Sequence, residues 1–532
     1  MAKQKNKKFP TDIESHAIRI FLPLDTIDPE QGPQCCFNLF FSESSKNVSI
    51  GTSPVIPNDQ TAALKSRYAD TPLWEKVGNE NKLPVSSDLA PQIRELASGI
   101  KPELISIWKQ TSVAQRFLKT ADLYETNVEE KLQKKKKLCL IFSEAAQSRL
   151  LQSGYKISQL TFDVKDLHVW LFSTGVSLAS VQIHLNTPAE KALPAEALVE
   201  AVAAISKINT CKWVESNGFK DIPGPEFSFG ALIQTLVRGS GVSYAPSKRA
   251  MTYTFARLHK YTPETDVEIL STYLARRYTA AYSFMQGQDN IKTIRSFTNV
   301  RHTVSTEGAA SILVPNEDNT VPEFLKTWEK SVFLSAYSPI FLMALHEHLF
   351  LTGARHQSLL AHMHENAIDE LGGMVDDVLM FRLFYRHSHV SNVSMHNAFS
   401  KGLREALSLE SKLTELQEDV KAVSAKLKEA LHEQETQEET EKHRKYYWIS
   451  VWAGAFLAGL TSYTMAKEFF SLLWYPDKTT AGWTAVGIGA AIIVVSAIFG
   501  YLRGPKKPEK HHKSHLIGHA MVEHMIKRAL HK

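Results

Sequence analysis

The chain has 532 residues and a formal net charge of +5, which is small for its length. This small net charge argues against a nucleic-acid partner, because nucleic-acid-binding proteins carry a clustered excess of Lys and Arg. Its four cysteines show no metal-ligand spacing and predict reduced thiols rather than a disulfide framework. No apolar core follows the basic residues 1–8, so a signal peptide is excluded.

Residues 1–15 are predicted to be a disordered basic arm, and residues 16–325 an α/β cytosolic domain. In residues 160–185, two β-rich runs flank Ser173-Thr174-Gly175, which predicts a hairpin. Further strands are predicted at Ile18–Leu22, Phe37–Phe41, Leu138–Phe142 and Met251–Phe255, with a last pair in Thr293–Val314. Helices are predicted at Ala189–Lys207 and Val267–Phe284, and residues 59–147 show a mostly helical pattern.

This domain shows no recognisable active site. Gly239-Ser240-Gly241 lacks the third glycine of a dinucleotide loop and the Gly-Lys-Ser/Thr ending of a phosphate loop. Neither a Gly-x-Ser-x-Gly nor a His-Glu-x-x-His motif occurs. We therefore predict that the protein is not an enzyme and holds no covalent cofactor.

Residues 326–445 are predicted to form a helical stalk. Val332–Leu345 is apolar but short, which favours a core helix, and His346 and His348 are interpreted as buried or capping groups. Apolar residues then recur at alternating steps of three and four, as in a coiled coil. The seam consists of Ala406, Leu409, Leu413, Leu416, Val420, Val423, Leu427 and Ala430.

Residues 446–504 contain two uncharged or nearly uncharged runs, 448–466 and 481–502. Each is about 20 residues, the length of a membrane-spanning helix. Basic residues flank the outer ends of both runs, which places both termini in the cytosol by the positive-inside rule. We expect a multi-pass protein of the inner membrane with a basic cytosolic tail, 505–532. The alternative is a buried helical hairpin of a soluble protein.

The order of stalk, first span, short turn, second span and basic tail resembles the CorA family of divalent-cation channels. The stretch Tyr463-Thr464-Met465-Ala466-Lys467-Glu468-Phe469 is similar to the family signature, with Thr464 and Ala466 replacing its Gly and Asn. The resemblance implies a homo-oligomer, a pentamer in that family, that binds Mg²⁺ or another divalent cation.

One face of the first run carries residues at steps of four and three, which predicts a pore lining in the geometry of that family. The predicted pore and filter residues are Ser450, Gly454, Leu457, Thr461, Thr464, Met465, Ala466 and Glu468. Cytosolic metal sensing is also a family trait, and a helical face of oxygens with one histidine supplies candidate ligands. These are His362, Glu365, Asp369 and Asp376, for which a solvated helix face is the alternative.

We therefore expect a channel for divalent cations in the lipid bilayer, gated through the cytosolic domain and stalk. One alternative is an effector channel of a defence system, with poor ion selectivity, opened by a small regulatory ligand such as a nucleotide second messenger. Another is a membrane-tethered scaffold whose coiled coil binds partners.

Overall fold

A computed structural model describes most of the first 434 residues and a few beyond them. The described residues are 9, 11–24, 33, 72–78, 80, 82–112, 114–115, 118, 136–187, 192–205, 207, 210–215, 226–238, 250–283, 291–361, 377–434, 450–451, 454 and 457. The chain forms two compact units, residues 1–416 and 417–532. The architecture below concerns the first unit, apart from the C-terminal part of the last helix.

The first unit is built on a 12-stranded sheet, in which nine strands follow the order β10-β11-β12-β9-β1-β6-β5-β3-β2. The other three strands lie off this path. Strand β4 pairs with β5 and with β8, and β7 pairs with β1. The pairs within it are antiparallel except β12 with β9, which is parallel. The strands are β1 (Asp12–Leu24), β2 (Trp74–Lys76), β3 (Ile105–Gln110), β4 (Lys136–Ile141), β5 (Gln159–Phe172), β6 (Ser177–Asn186), β7 (Leu193–Pro194), β8 (Cys211–Glu215), β9 (Met251–Leu258), β10 (Lys292–Phe297), β11 (Val300–Val304) and β12 (Gly308–Leu313).

Helices cover both faces of this sheet. They are α1 (Pro91–Ser98), α2 (Glu144–Gln152), α3 (Ala195–Ile205), α4 (Phe229–Arg238), α5 (Glu264–Arg276), α6 (Glu323–Lys326), α7 (Ser338–Ala361), α8 (Ser394–Ala406) and α9 (Leu409–Gln434). A π-helical segment, Glu329–Tyr337, leads directly into α7, and residues 377–384 are also helical.

The first face of the sheet packs against α3, α4 and α5 in one continuous apolar core. Strand β5 supplies Phe162 and Val164 to this core from one half and Leu167 and Val169 from the other. Strict alternation would send these two sets to opposite faces. A bulge between Val164 and Asp166 adds one residue to β5 and shifts the alternation by one position. Both halves of β5 therefore direct apolar side chains to the same layer.

The second face packs against the π-helical segment, α7 and α8 through aromatic side chains. Phe21 of β1 lies 4.9 Å from Phe341 of α7, measured between ring centroids. Tyr253 of β9 lies 4.6 Å from Phe333 and 5.4 Å from Phe399 of α8. This aromatic layer fixes the segments that form the candidate site.

The central strands agree with the sequence prediction. The hairpin is β5–β6, and Gly175 in its turn has φ 80°, a conformation that glycine adopts without strain. The predicted strands at Ile18–Leu22, Leu138–Phe142 and Met251–Phe255 correspond to β1, β4 and β9, whereas Phe37–Phe41 lies outside the described residues. Residues 293–314 form three strands instead of two, and the region 59–147 contains β2, β3 and β4 as well as α1 and α2.

The predicted transmembrane hairpin is not part of the described architecture. Within the described ranges, no helix is both long enough and apolar enough to cross a membrane. On this finding the predicted fold class, with its stalk and two-helix hairpin, and the multi-pass inner-membrane location are wrong; the described chain is a mixed α/β fold. Of the two predicted spans, residues 450, 451, 454 and 457 are helical, and the remainder lies outside the described residues.

The predicted stalk is also divided where the sequence indicated continuity. Ser408 has φ 54° and separates α8 from α9, so Ala406 and Leu409 belong to different helices. Leu413 and Leu416 are buried within the first unit, together with Leu409. The start of the heptad pattern is therefore the core-facing stripe of a globular domain, which has the same period as a coiled-coil seam.

Candidate functional site: an aromatic cleft

Most of the predicted site residues cannot be placed. The metal candidates His362, Glu365, Asp369 and Asp376 lie outside the described residues, as do Thr461, Thr464, Met465, Ala466 and Glu468 of the predicted pore. Ser450, Gly454 and Leu457 are helical. Over the described part of the chain, no three His, Cys, Asp or Glu side chains come together as a metal site.

The structure instead shows an open cleft of about 250 Å³ beside the second face of the sheet. We call it the aromatic cleft. Its lining is mostly apolar and aromatic with a few polar groups, the composition of a small-molecule site. The lining residues are Ser86, Asp88, Phe297, Val300, Phe324, Trp328, Ser331, Val332, Ala336, Tyr337, Val393, Met395 and His396.

The π-helical segment forms one wall of the aromatic cleft. Trp328 precedes the segment and Tyr337 ends it, and their rings stack with centroids 5.5 Å apart. Trp328 also stacks on Phe255 of β9, and Tyr337 meets Phe399 of α8 edge to face. These contacts hold an unusual helical geometry of the kind that is frequent at functional sites.

Two aromatic rings stand at the mouth of the cleft. Phe297, at the end of β10, is 58% exposed, and Phe324 of α6 is 53% exposed. Their ring centroids lie 6.5 Å apart at an interplanar angle of 58°. Large apolar side chains this exposed and this close together mark a binding surface more often than isolated ones do.

Two nearly buried lining residues carry polar atoms. They are Trp328, 4% exposed, with its indole N–H, and Tyr337, 3% exposed, with its hydroxyl. Both groups are hydrogen-bond donors. Burial raises the pKa of Tyr337, which keeps its hydroxyl protonated.

His396 stands at the start of α8 in a defined tautomer. The Ser391 hydroxyl donates to the Asp88 carbonyl oxygen at 2.7 Å, so its oxygen accepts from His396 Nδ1, 2.8 Å away. Because Nδ1 then carries the proton, Nε2 is left as an acceptor. Burial lowers the pKa of His396, against the raising influence of Asp88, so the ring is neutral at pH 7.

A cluster of ion pairs joins α7 and α8 to the start of α9. Glu347 of α7, 8% exposed, accepts from Arg404 Nη2 of α8 at 3.0 Å and lies 3.3 Å from Arg386 Nε. Both arginines also contact Glu410 in the first turn of α9. Burial raises the pKa of Glu347, while Arg404 and Arg386 lower it. Because one carboxylate serves two guanidinium groups, movement of any one helix disturbs the other contacts.

A row of polar side chains crosses the second face of the sheet at β1, β6 and β5. Arg19 Nε donates to Ser180 Oγ at 2.8 Å, and Arg19 Nη1 lies 3.5 Å from Asp166 Oδ2. Burial lowers the pKa of the neighbouring His168 to about 4. His168 Nδ1 and Asp166 Oδ1 are buried without a hydrogen-bond partner. This row is a second polar region, separate from the residues that line the aromatic cleft.

No family model, curated protein or solved structure matches this chain. The site therefore rests on geometry alone. The expected divalent-cation conduction, metal sensing and pentameric assembly stay predictions.

Sequence reasoning did not identify the aromatic cleft. Its signal is the spacing of Phe324, Trp328, Phe333 and Tyr337, which recur at steps of four, five and four. The five-residue step is the turn of a π-helix, whereas a regular amphipathic helix uses three and four. His346, predicted to be a buried or a capping group, is buried and stacks on Phe172 with ring centroids 3.9 Å apart.

Proposed function

We propose that this protein is a small-molecule-responsive regulatory protein. The aromatic cleft would bind the ligand, and the orientation of α9 would be the response. One observation carries the proposal: α8 lines the cleft with its first turn and anchors α9 with its last turn.

The helix α8 is the physical connection. Met395 and His396 lie in its first turn and line the cleft, while Arg404 lies in its last turn. A 13-residue helix is about 20 Å long and moves as a rigid rod. A ligand that displaces the start of α8 therefore displaces Arg404 relative to Glu347.

The junction of α8 and α9 and the contacts of α9 can change in response to such a displacement. Ser408 holds a left-handed conformation that costs a non-glycine residue about 1–2 kcal/mol, so the α8–α9 junction is strained. On α9, Lys412 Nζ lies 2.9 Å from His348 Nδ1, and Glu415 pairs with Arg355. Such exposed or half-buried polar contacts are worth little each and exchange readily.

The chemistry of the cleft favours binding over catalysis. The distance of 2.8 Å between Ser391 Oγ and His396 Nδ1 is typical of a nucleophile and its general base. However, Ser391 is buried, does not line the cleft, and its hydroxyl oxygen also accepts from Val393 N–H at 3.1 Å. This hydroxyl therefore serves to fix the loop that enters α8.

A tethered side chain tests the proposal without a known ligand. Ser331 lines the cleft, and we would replace it by cysteine and attach a benzyl group to the new thiol. Cys35 and Cys36 would be replaced by serine so that they do not react. Cys139 and Cys211 are buried and can remain. We expect amide exchange in residues 409–416 to rise at least about threefold, because filling the cleft displaces α8.

The matched control is the same adduct at Leu151→Cys, an exposed position on α2. It should leave exchange in residues 409–416 unchanged. Unchanged exchange with the cleft adduct in place, shown by mass to be complete, would mean that the cleft and α9 are not coupled.

A further inference from the structure

The charge of the aromatic cleft restricts what it can bind. Asp88 is the one formally charged side chain among the described lining residues, and His396 is neutral. No Lys or Arg is among the lining residues. The fixed charge inside the cleft is therefore negative, which disfavours a phosphate or carboxylate there.

The arginine that contacts the lining residue Phe297 does not reverse this charge. Arg301 Nη1 donates to the Phe297 carbonyl oxygen at 2.9 Å, while its Nη2 lies 3.0 Å from Glu264 Oε1. Glu264 also pairs with Arg295, which in turn contacts Glu268. Arg301 and Arg295 are thus held in ion pairs with glutamates.

The aromatic rings add to the negative potential. The faces of Phe, Tyr and Trp rings carry the negative part of their quadrupole and attract cations within about 6 Å. Phe297 and Phe324 are inclined at 58° at the mouth, and Trp328 and Tyr337 form the wall behind them. Clustered aromatic rings are the composition of sites that hold quaternary ammonium groups, and Asp88 lines the same cleft.

We propose that the aromatic cleft binds an organic cation whose charge is a methylated ammonium group, with Asp88 as its counter-ion and Phe297 and Phe324 against its methyl groups. This inference rests on the proposed function, since it names the ligand of the same cleft. An oxygen on the ligand would accept from the Trp328 N–H or the Tyr337 hydroxyl.

Methylation of the ammonium follows from the aromatic mouth. A primary ammonium carries three N–H donors that need acceptors. The exposed rings of Phe297 and Phe324 offer apolar faces and no lone pairs, so N-methyl groups fit against them, whereas N–H donors placed there would lose their hydrogen bonds. The Asp88 carboxylate, which accepts from Ser86 Oγ at 3.2 Å, supplies the counter-charge. The volume of about 250 Å³ admits a trimethylammonium head with a short chain.

The test compares choline with 3,3-dimethyl-1-butanol, its uncharged analogue of the same shape, by calorimetry on the full chain. We expect choline to bind about tenfold more tightly than the analogue. Asp88→Asn should weaken choline about tenfold and leave the analogue unchanged. Phe297→Leu combined with Phe324→Leu should weaken choline by a similar factor. Tyr261→Leu, at an exposed aromatic residue outside the cleft lining, should change neither.

Equal binding of choline and the analogue would overturn the cationic assignment while leaving a small-molecule cleft. The assignment would also be overturned by an absence of choline binding, or by choline binding that Asp88→Asn does not weaken. A different result would contradict the proposed function. It is unchanged amide hydrogen exchange in residues 409–416 of the Ser331→Cys protein that carries the benzyl group. Unchanged thermal unfolding of each variant, which is expected because the substituted side chains are exposed, verifies that the fold is retained.

Discussion

The two faces of the central sheet are buried by different chemistry. On the first face, the strands present aliphatic residues such as Ile18, Val181 and Val169 to α3, α4 and α5. On the second face, histidines, tyrosines and charged side chains are mixed with the apolar ones, as at His302 and Arg19. Polar groups cost free energy when buried. The first face therefore supplies stability, and the second face positions functional groups.

The buried histidines offer the largest test of this comparison. Burial lowers the pKa of His302 and His346 to about 3 and that of His168 to about 4. Because the unfolded chain binds these protons below about pH 6.5, the stability they contribute is complete above that pH and is lost as the pH falls toward about 4 for His168 and about 3 for His302 and His346. At pH 5 the expected loss is about 2 kcal/mol for each histidine, or about 6 kcal/mol in total.

Urea unfolding at pH 7.5 and pH 5 measures this loss. Replacing His346 by Phe, which keeps a ring stacked on Phe172, should reduce the difference between the two pH values by about 2 kcal/mol. Hydrogen exchange at pH 5 should release α7 and α8 before α3 and α5. Simultaneous release of both layers would show that the faces are equally sensitive to acid.

A cavity in the first face gives the next largest effect. Phe162 is buried there and meets Phe229 of α4 edge to face, with ring centroids 5.7 Å apart. We expect Phe162→Ala to lower the free energy of unfolding by about 3–5 kcal/mol. Phe297→Ala, at the mouth of the cleft, should change it by less than about 0.5 kcal/mol. A similar loss in both variants, measured by thermal unfolding, would contradict the division of roles.

The ion cluster between α7, α8 and α9 should respond to the loss of one charge. Glu347→Gln leaves Arg386 and Arg404 without their shared buried carboxylate, and we expect a loss of about 3 kcal/mol. The control is Glu410→Gln at the exposed partner, which should cost less than about 1 kcal/mol. If the two variants unfold at the same denaturant concentration, Glu347 is not the centre of the cluster.

The smallest effect is expected at the α8–α9 junction. Ser408 has φ 54°, which glycine adopts without the clash that affects other residues. We expect Ser408→Gly to stabilise the protein by about 0.5–1 kcal/mol. Destabilisation by Ser408→Gly in chemical unfolding would show that the serine side chain itself is needed there.

The sequence predicts elements well where the local pattern matches the final environment. The hairpin β5–β6 is predictable because alternation, β-branched residues and a turn glycine agree. Strand β3 was not predicted because Ile105–Gln110 is short and only its first half, Ile105–Ile107, is fully buried, which leaves too few residues to show a clear alternation. Neither the bulge after Val164 nor the crossover that pairs β12 with β9 has a local signature.

The wrong predictions share one physical cause. The periodicity of apolar residues shows which face of a helix is buried, but not which element buries it. Leu409, Leu413 and Leu416 have the spacing of a coiled-coil seam but are buried in their own domain. The aromatic cleft likewise depends on Phe297, Trp328 and His396, which come from three separate parts of the chain. Only the tertiary fold brings such residues together, so the aromatic spacing in residues 324–337 could have predicted one wall of the cleft but not the whole of it.

The central position of β1 has a consequence for how the protein is made. Its neighbours in the sheet are β6 and β9, which follow it at long distances along the chain. At about 5–20 residues per second, a ribosome completes β6 roughly 10–30 s after β1, and β9 later still. Throughout that interval the apolar stretch Ile18–Leu24 has two open strand edges. We expect nascent chains that end before residue 258 to require a chaperone or to aggregate, whereas the completed chain has both edges paired.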